Sequence, residues 1–109
     1  MSAFKRFSDK PSKEVMPGFR GRFEHGDSMT MAYWEIDAGA KLPEHSHPHE
    51  QIATVYKGKL ELIIDGQAQT LEPGMVALIP SNAVHSGVAI TDCEVTDVFS
   101  PVREDYKFD

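Results

Sequence analysis

At 109 residues, with 40% hydrophobic and 26% charged side chains, the chain has the length and composition of one water-soluble domain around a single core. No run approaches the roughly 20 apolar residues that a membrane helix needs. A net charge of −6, with the basic residues scattered rather than clustered, argues against a nucleic-acid partner and favours a small polar ligand.

In chain order, residues 1–18 are rich in Ser, Lys and Pro and read as an N-terminal arm, followed over 19–109 by the body and C-terminal tail of one domain spanning 1–109. The stretch MSAFKRFSDK has basic residues without the apolar run of a secretory signal, which predicts a cytoplasmic protein. The lone Cys93 has no internal disulfide partner and fits a small buried hydrophobe in a reducing compartment. His25, in the turn-like HGDS, is expected to be exposed. Short runs of alternating apolar and polar residues then follow one another: Thr30 to Asp37, Gln51 to Lys57, Lys59 to Asp65, Gln67 to Leu71, Met75 to Pro80, Val84 to Ile90 and Glu94 to Phe99. Asp65-Gly66 carries the signal of a two-residue hairpin, and Glu72-Pro73-Gly74 fits a type II turn. Helical periodicity is nearly absent, so the fold class is all-β. Strands at this spacing predict a sandwich or barrel. Arg20, Arg22, Tyr33 and Trp34 are candidates to line its mouth, with ordinary packing as the alternative that strand parity leaves open.

Residues 45–51 read HSHPHEQ. On an extended strand alternate side chains share a face, so His45, His47 and Gln51 point the same way. His85 follows 38 residues after His47, beyond a hairpin, where a closed β-fold brings it to the same point. Three neutral imidazoles and a carbonyl oxygen hold a divalent transition metal and leave positions open for substrate. An isolated His-x-His is equally compatible with a solvated loop, so the flanking pattern decides. His49 shares the parity, but Pro48 bulges a strand there and places His49 behind the ligands or on the surface.

That flanking pattern is GAKLPEHSHPHEQIATVYKG, from Gly39 to Gly58, and GMVALIPSNAVH, with Gly74, Pro80 and His85. The two stretches resemble the metal-binding motifs of the cupin superfamily, which implies a single-domain double-stranded β-helix, or jelly-roll barrel, with a metal in its mouth. Gln51 stands where the general motif has glutamate, and Asn82 where the second has a glycine. The tail TDVFSPVREDY adds a closer likeness, to the pectin-degradation cupins of the KdgF type. This likeness implies one metal ion on His45, His47, Gln51 and His85, with Asp97, Phe99 and Arg103 in the active site. It also implies an activity: conversion of 4,5-unsaturated galacturonate to its open-chain 5-keto-4-deoxyuronate. Zn, Ni, Fe, Mn and Cu all suit such a donor set.

The residues suit that chemistry. A divalent ion stabilises a developing enolate, Arg103 pairs with the substrate carboxylate, Asp97 moves protons, and Phe99, sharing parity with Asp97, walls the sugar. Glu104 and Asp105 read as a solvated charged tail. The expected partner is a small anionic sugar, and no organic cofactor is required. A homodimer is expected too, with Phe4, Phe7 and Phe19 packing over exposed sheet edges. Two other functions use the same fold: a cupin dioxygenase, and a non-catalytic small-molecule sensor.

Overall fold

The computed structural model describes residues 2–108. Ten strands form among them: β1 (Lys13–Met16), β2 (Phe19–His25), β3 (Thr30–Ile36), β4 (Lys41–His45), β5 (Glu50–Lys57), β6 (Leu60–Ile64), β7 (Gln67–Leu71), β8 (Val76–Ile79), β9 (His85–Ala89) and β10 (Cys93–Ser100). The only helical turns among the described residues are the 3₁₀ segments Phe7–Asp9 and Glu104–Tyr106. Every alternating run foreseen in the sequence is present as a strand, with its bounds shifted by a residue or so.

The strands make two antiparallel sheets, one ordered β1-β2-β3-β10-β5-β8 and the other β4-β9-β6-β7. Phe19, Trp34, Ile36, Val55 and Val95 from the first sheet share one core with Leu60, Leu62, Leu71 and Ala89 from the second. The sheets therefore close face to face as a jelly-roll barrel, and each fully buried aliphatic side chain contributes roughly 1.5–3 kcal/mol. Alternation along β10 is regular: Cys93, Val95, Asp97 and Phe99 point inward and are buried, while Glu94, Thr96 and Val98 between them are half-buried. The Asp65-Gly66 turn has φ of 48° and 82°, the double positive that a two-residue hairpin in a twisted sheet requires. Asn82 has φ of 65°, which accounts for a glycine in the general motif: asparagine is among the few other residues that tolerate this conformation.

Three strands escape the alternation reading, and two of them alter it. Residues 13–16 of the presumed arm form β1, paired with β2 at the edge of the larger sheet. Phe19 is no edge-covering residue but a core side chain, 6% exposed and edge-on to Trp34. Phe7 packs instead on Tyr33, and Phe4 lies exposed. Cys93 is buried as expected, its thiol donating to the carbonyls of Lys59 and Thr91.

Candidate metal centre

The histidines converge by a route that differs from the single extended strand. His45 ends β4 and stands opposite His85, the first residue of β9. The chain then leaves the smaller sheet, carries His47 in the connection, bends at Pro48 and His49, and enters the larger sheet at Glu50. Gln51 faces inward from β5, opposite Phe99 of β10 and Ile79 of β8. Two backbone contacts fix this connection: Asn82 N–H donates to His47 O at 2.8 Å, and Ser81 Oγ donates to Pro48 O at 2.6 Å.

One ring nitrogen from each of His45, His47 and His85 lies within 4.8 Å of the other two. The orientation of each ring is set from behind, because each Nδ1 donates to a backbone carbonyl: His45 to Pro43 at 2.8 Å, His47 to His49 at 3.0 Å, His85 to Ala83 at 2.9 Å. A ring that carries its proton on Nδ1 presents a bare lone pair at Nε2, the supporting arrangement of metal-binding histidines. His85 Nε2 is buried with no hydrogen-bond partner. Gln51 Oε1 lies 3.1 Å from His47 Nε2, so two lone pairs face each other with no proton between them. A cation resolves both features. Burial lowers the pKa of His85 and of His47, where the charge of Arg103 adds to the effect, and this keeps the rings neutral. The donor set fits a divalent transition ion, with His49 behind it through its carbonyl.

Beside the histidines lies a second, acid-base half. In the ladders around β10, Asp97 pairs with Ala32 on one side and Ala53 on the other. The carboxylate lines a partly open cavity of about 60 Å³ shared with Ala53, the three histidines, Gln51, Phe99 and Arg103. Asp97 Oδ2 accepts a hydrogen bond from Trp34 Nε1 at 3.0 Å, whereas Oδ1 is buried without a partner. Burial pushes the carboxyl up to about 6 against the opposing pulls of Gln51, Trp34 and Arg103. Such a group is poised to take and return a proton near neutrality.

Arg103 reaches the same space from the tail. It is 9% exposed, with its guanidinium carbon 4.7 Å from the Phe99 ring centre and 4.1 Å from that of Tyr106. Glu104 and Asp105 are exposed as expected of a solvated tail, and Asp105 also takes the Nε and Nη2 donors at 2.9 and 2.7 Å. The Nη1–Nη2 end of the guanidinium points away from that pair. The tail is pinned by a polar chain: Arg103 N–H donates to Thr30 Oγ1 at 2.9 Å, that hydroxyl meets His25 Nδ1 at 2.8 Å, and His25 Nε2 meets Tyr106 O at 3.2 Å. His25 is thus half-buried rather than exposed. Of the four candidates for the mouth, Trp34 alone lines the cavity. Arg20 pairs with Asp37, Arg22 donates to the Phe7 carbonyl, and Tyr33 donates to Glu94.

The histidine mouth of a small jelly-roll barrel defines a class, and the sequence matches the cupin domain family over residues 32–99. The pectin degradation protein KdgF of Dickeya dadantii (strain 3937) is 30% identical over 101 residues, 90% of this chain and 92% of that protein. The structure of KdgF from Halomonas sp. superposes with a TM-score of 0.90 at 30% identity, covering 96% of this chain and 98% of that one. An RmlC-like cupin from Shewanella frigidimarina NCIMB 400 superposes with a TM-score of 0.91 at 24% identity, over 97% and 96% of the two chains, and shares the fold. The chain belongs to the cupin family and, within it, to the relatives of KdgF.

Proposed function

We propose that this protein opens the ring of 4,5-unsaturated galacturonate, giving the open-chain 5-keto-4-deoxyuronate in pectin or uronate breakdown. The reading rests on one juxtaposition: Asp97, which has an unpaired carboxylate oxygen, and Arg103 line the same small space as three lone-pair-bearing imidazoles. Kinship with proteins named for pectin degradation supplies the substrate class.

The substrate is a cyclic hemiacetal whose ring oxygen is attached to C5 of a C4=C5 double bond. Arg103 binds the carboxylate on C5 through its Nη1–Nη2 end and aligns the ring against Phe99. Asp97 removes the O1 proton, C1=O1 forms, and the C1–O5 bond breaks with its electron pair passing to O5. The resulting enolate becomes the C5 ketone as C4 receives a proton, and return of the proton from Asp97 leaves the enzyme unchanged. The reaction is an isomerisation without net oxidation or proton release. His45, His47, Gln51 and His85 would hold a divalent ion at this mouth, and such an ion supplies Lewis-acid stabilisation of negative charge on a substrate oxygen.

We further propose a cytoplasmic homodimer, which the ring-opening reading does not itself require. The surface that would serve as its contact is the outward row Met31, Val98, Ile52 and Leu78, which is continuous across four strands and leaves Ile52 and Leu78 about half exposed. A monomer mass by light scattering would remove the dimer. The activity is tested by mixing metal-loaded protein with unsaturated galacturonate and following the C4=C5 absorbance. Faster loss than in buffer is expected. An unchanged rate would favour the sensor reading, and oxygen uptake would favour the dioxygenase.

A further inference from the structure

We propose that Trp34 is a positioning residue for Asp97: its indole N–H occupies Oδ2 and thereby assigns proton transfer to Oδ1. The inference rests on the ring-opening reading and deepens it.

Indole Nε1–H is a donor and never an acceptor. A proton on Asp97 Oδ2 would compete with the Trp34 N–H, 3.0 Å away, for that oxygen's lone pairs and leave it a weaker acceptor, so the protonated carboxyl favours its proton on the other oxygen. Oδ1 is that oxygen: it is buried and unpartnered, on a side chain that lines the cavity. The indole is not free to follow a rotating carboxyl. Phe19, Phe23 and Tyr106 each meet its ring edge-on, with interplanar angles of 84°, 84° and 77°. On its remaining side Gly21 lies opposite in the ladder, and a β-carbon there would come within 2.8 Å of the indole and 2.6 Å of Phe23. Glycine is required at position 21 because the indole fills the space a side chain would need. Trp34 also sits one inward position from Ala32, the register partner of Asp97, so its long side chain reaches diagonally to a carboxylate that a shorter residue would miss.

In the reaction sequence this has a definite consequence. Oδ1 takes the O1 proton, Oδ2 becomes the carbonyl oxygen of the neutral carboxyl and keeps the Trp34 hydrogen bond, and Oδ1 gives the proton to C4. Without the indole donor the carboxyl is held less firmly, and orientations that aim no lone pair at O1 become populated.

The chain has a single tryptophan, so its indole N–H gives one side-chain signal in a ¹⁵N–¹H spectrum of the zinc-loaded protein. That signal is expected to be protected from exchange, to move on Asp97→Ala, and to stay near its native position on Asp97→Asn, which keeps an acceptor. Trp34→Phe should lower kcat about 10–100-fold, the scale of a misplaced reacting group, with KM and metal content nearly unchanged. In the Asp97→Ala background it should have no further effect. Should Trp34→Phe not fold, replacing the lone tryptophan with benzothienylalanine exchanges N–H for sulfur in the same ring shape, and the same fall in kcat is expected. Native kcat in either protein, or a signal indifferent to Asp97→Ala, overturns the role of Trp34 while ring opening stands. A responsive signal in a native protein that opens no ring overturns the ring-opening reading and the role together.

Discussion

The two ends of the barrel are built from the same strands under opposite rules. On β10 the inward row begins with Cys93 and Val95, enclosed by Ile36, Trp34 and Val55, and ends with Asp97 and Phe99 among Ala32, Ala53, Thr30 and Gln51. At the first end the inward side chains are apolar. At the other, His85 Nε2 and Asp97 Oδ1 are buried without partners, each a destabilising feature of roughly 1–3 kcal/mol. Natural chains retain such groups where function needs them, and the dry end supplies the stability that offsets them. Substitutions should therefore separate cleanly: at the mouth they abolish chemistry and leave or raise stability, and at the dry end the reverse.

The largest effect is expected from His85→Ala. Metal affinity, read by competition with a chelator, should fall by more than the roughly 10–100-fold that loss of a supporting partner costs, because a ligand itself is gone. The β-rich circular dichroism should persist. Native-like affinity in this variant would remove His85 from the donor set.

Asp97→Asn should lower kcat about 10²–10⁴-fold yet stabilise the metal-free protein. The folded-state pKa of about 6 lies above the ordinary 3.8, so the native state binds this proton more tightly than the unfolded chain. Its stabilising contribution is complete below about pH 4 and is lost as the pH rises through about 6, leaving the ionised carboxylate as a cost on the order of 1–3 kcal/mol at pH 8. The variant's melting temperature should exceed the native one at pH 8, and the two should converge towards pH 4. A variant less stable at pH 8 contradicts this.

At the dry end, Leu71 is 2% exposed and lines no part of the cavity. Leu71→Ala should cost about 2–5 kcal/mol by urea denaturation while metal affinity stays native. The smallest effect belongs to the loop that leads into His85 at the mouth. Asn82 holds φ of 65°, so Asn82→Ala should cost about 1 kcal/mol and Asn82→Gly almost nothing. Equal losses in both would mean that the side chain, not the backbone, matters there.

The dry end was the more legible in the sequence, because alternation in β3, β5, β6 and β10 records burial directly. The strands that escaped have identifiable causes. In β2 the alternation Phe19, Gly21, Phe23 is interrupted by a glycine that exists for the indole of Trp34, a contact no local pattern reveals. In β4, Pro43 speaks against a strand, but β4 is an edge of its sheet, where a missing N–H is tolerated. At the mouth the three histidines were legible through motif spacing, although the parity argument reached them through a strand that in fact bends between His47 and Glu50. Asp105, Tyr106, Thr30 and His25 were not legible as parts of the site. A charged tail in water and one whose arginine is locked by its own aspartate have the same composition, and only closure of the barrel brings Thr30 and His25 against residues 103–106.

Ring opening at the mouth, through its donor set and Asp97, requires the metal and the carboxylate together. Its most direct test is a proton NMR time course of unsaturated galacturonate with one protein preparation in three states: as purified, stripped by chelator, and reloaded with a divalent metal. The vinylic C4 proton signal should disappear quickly with the first and third and only at the buffer rate with the second. Equal rates in the stripped and reloaded states, or no acceleration in any state, would contradict the account.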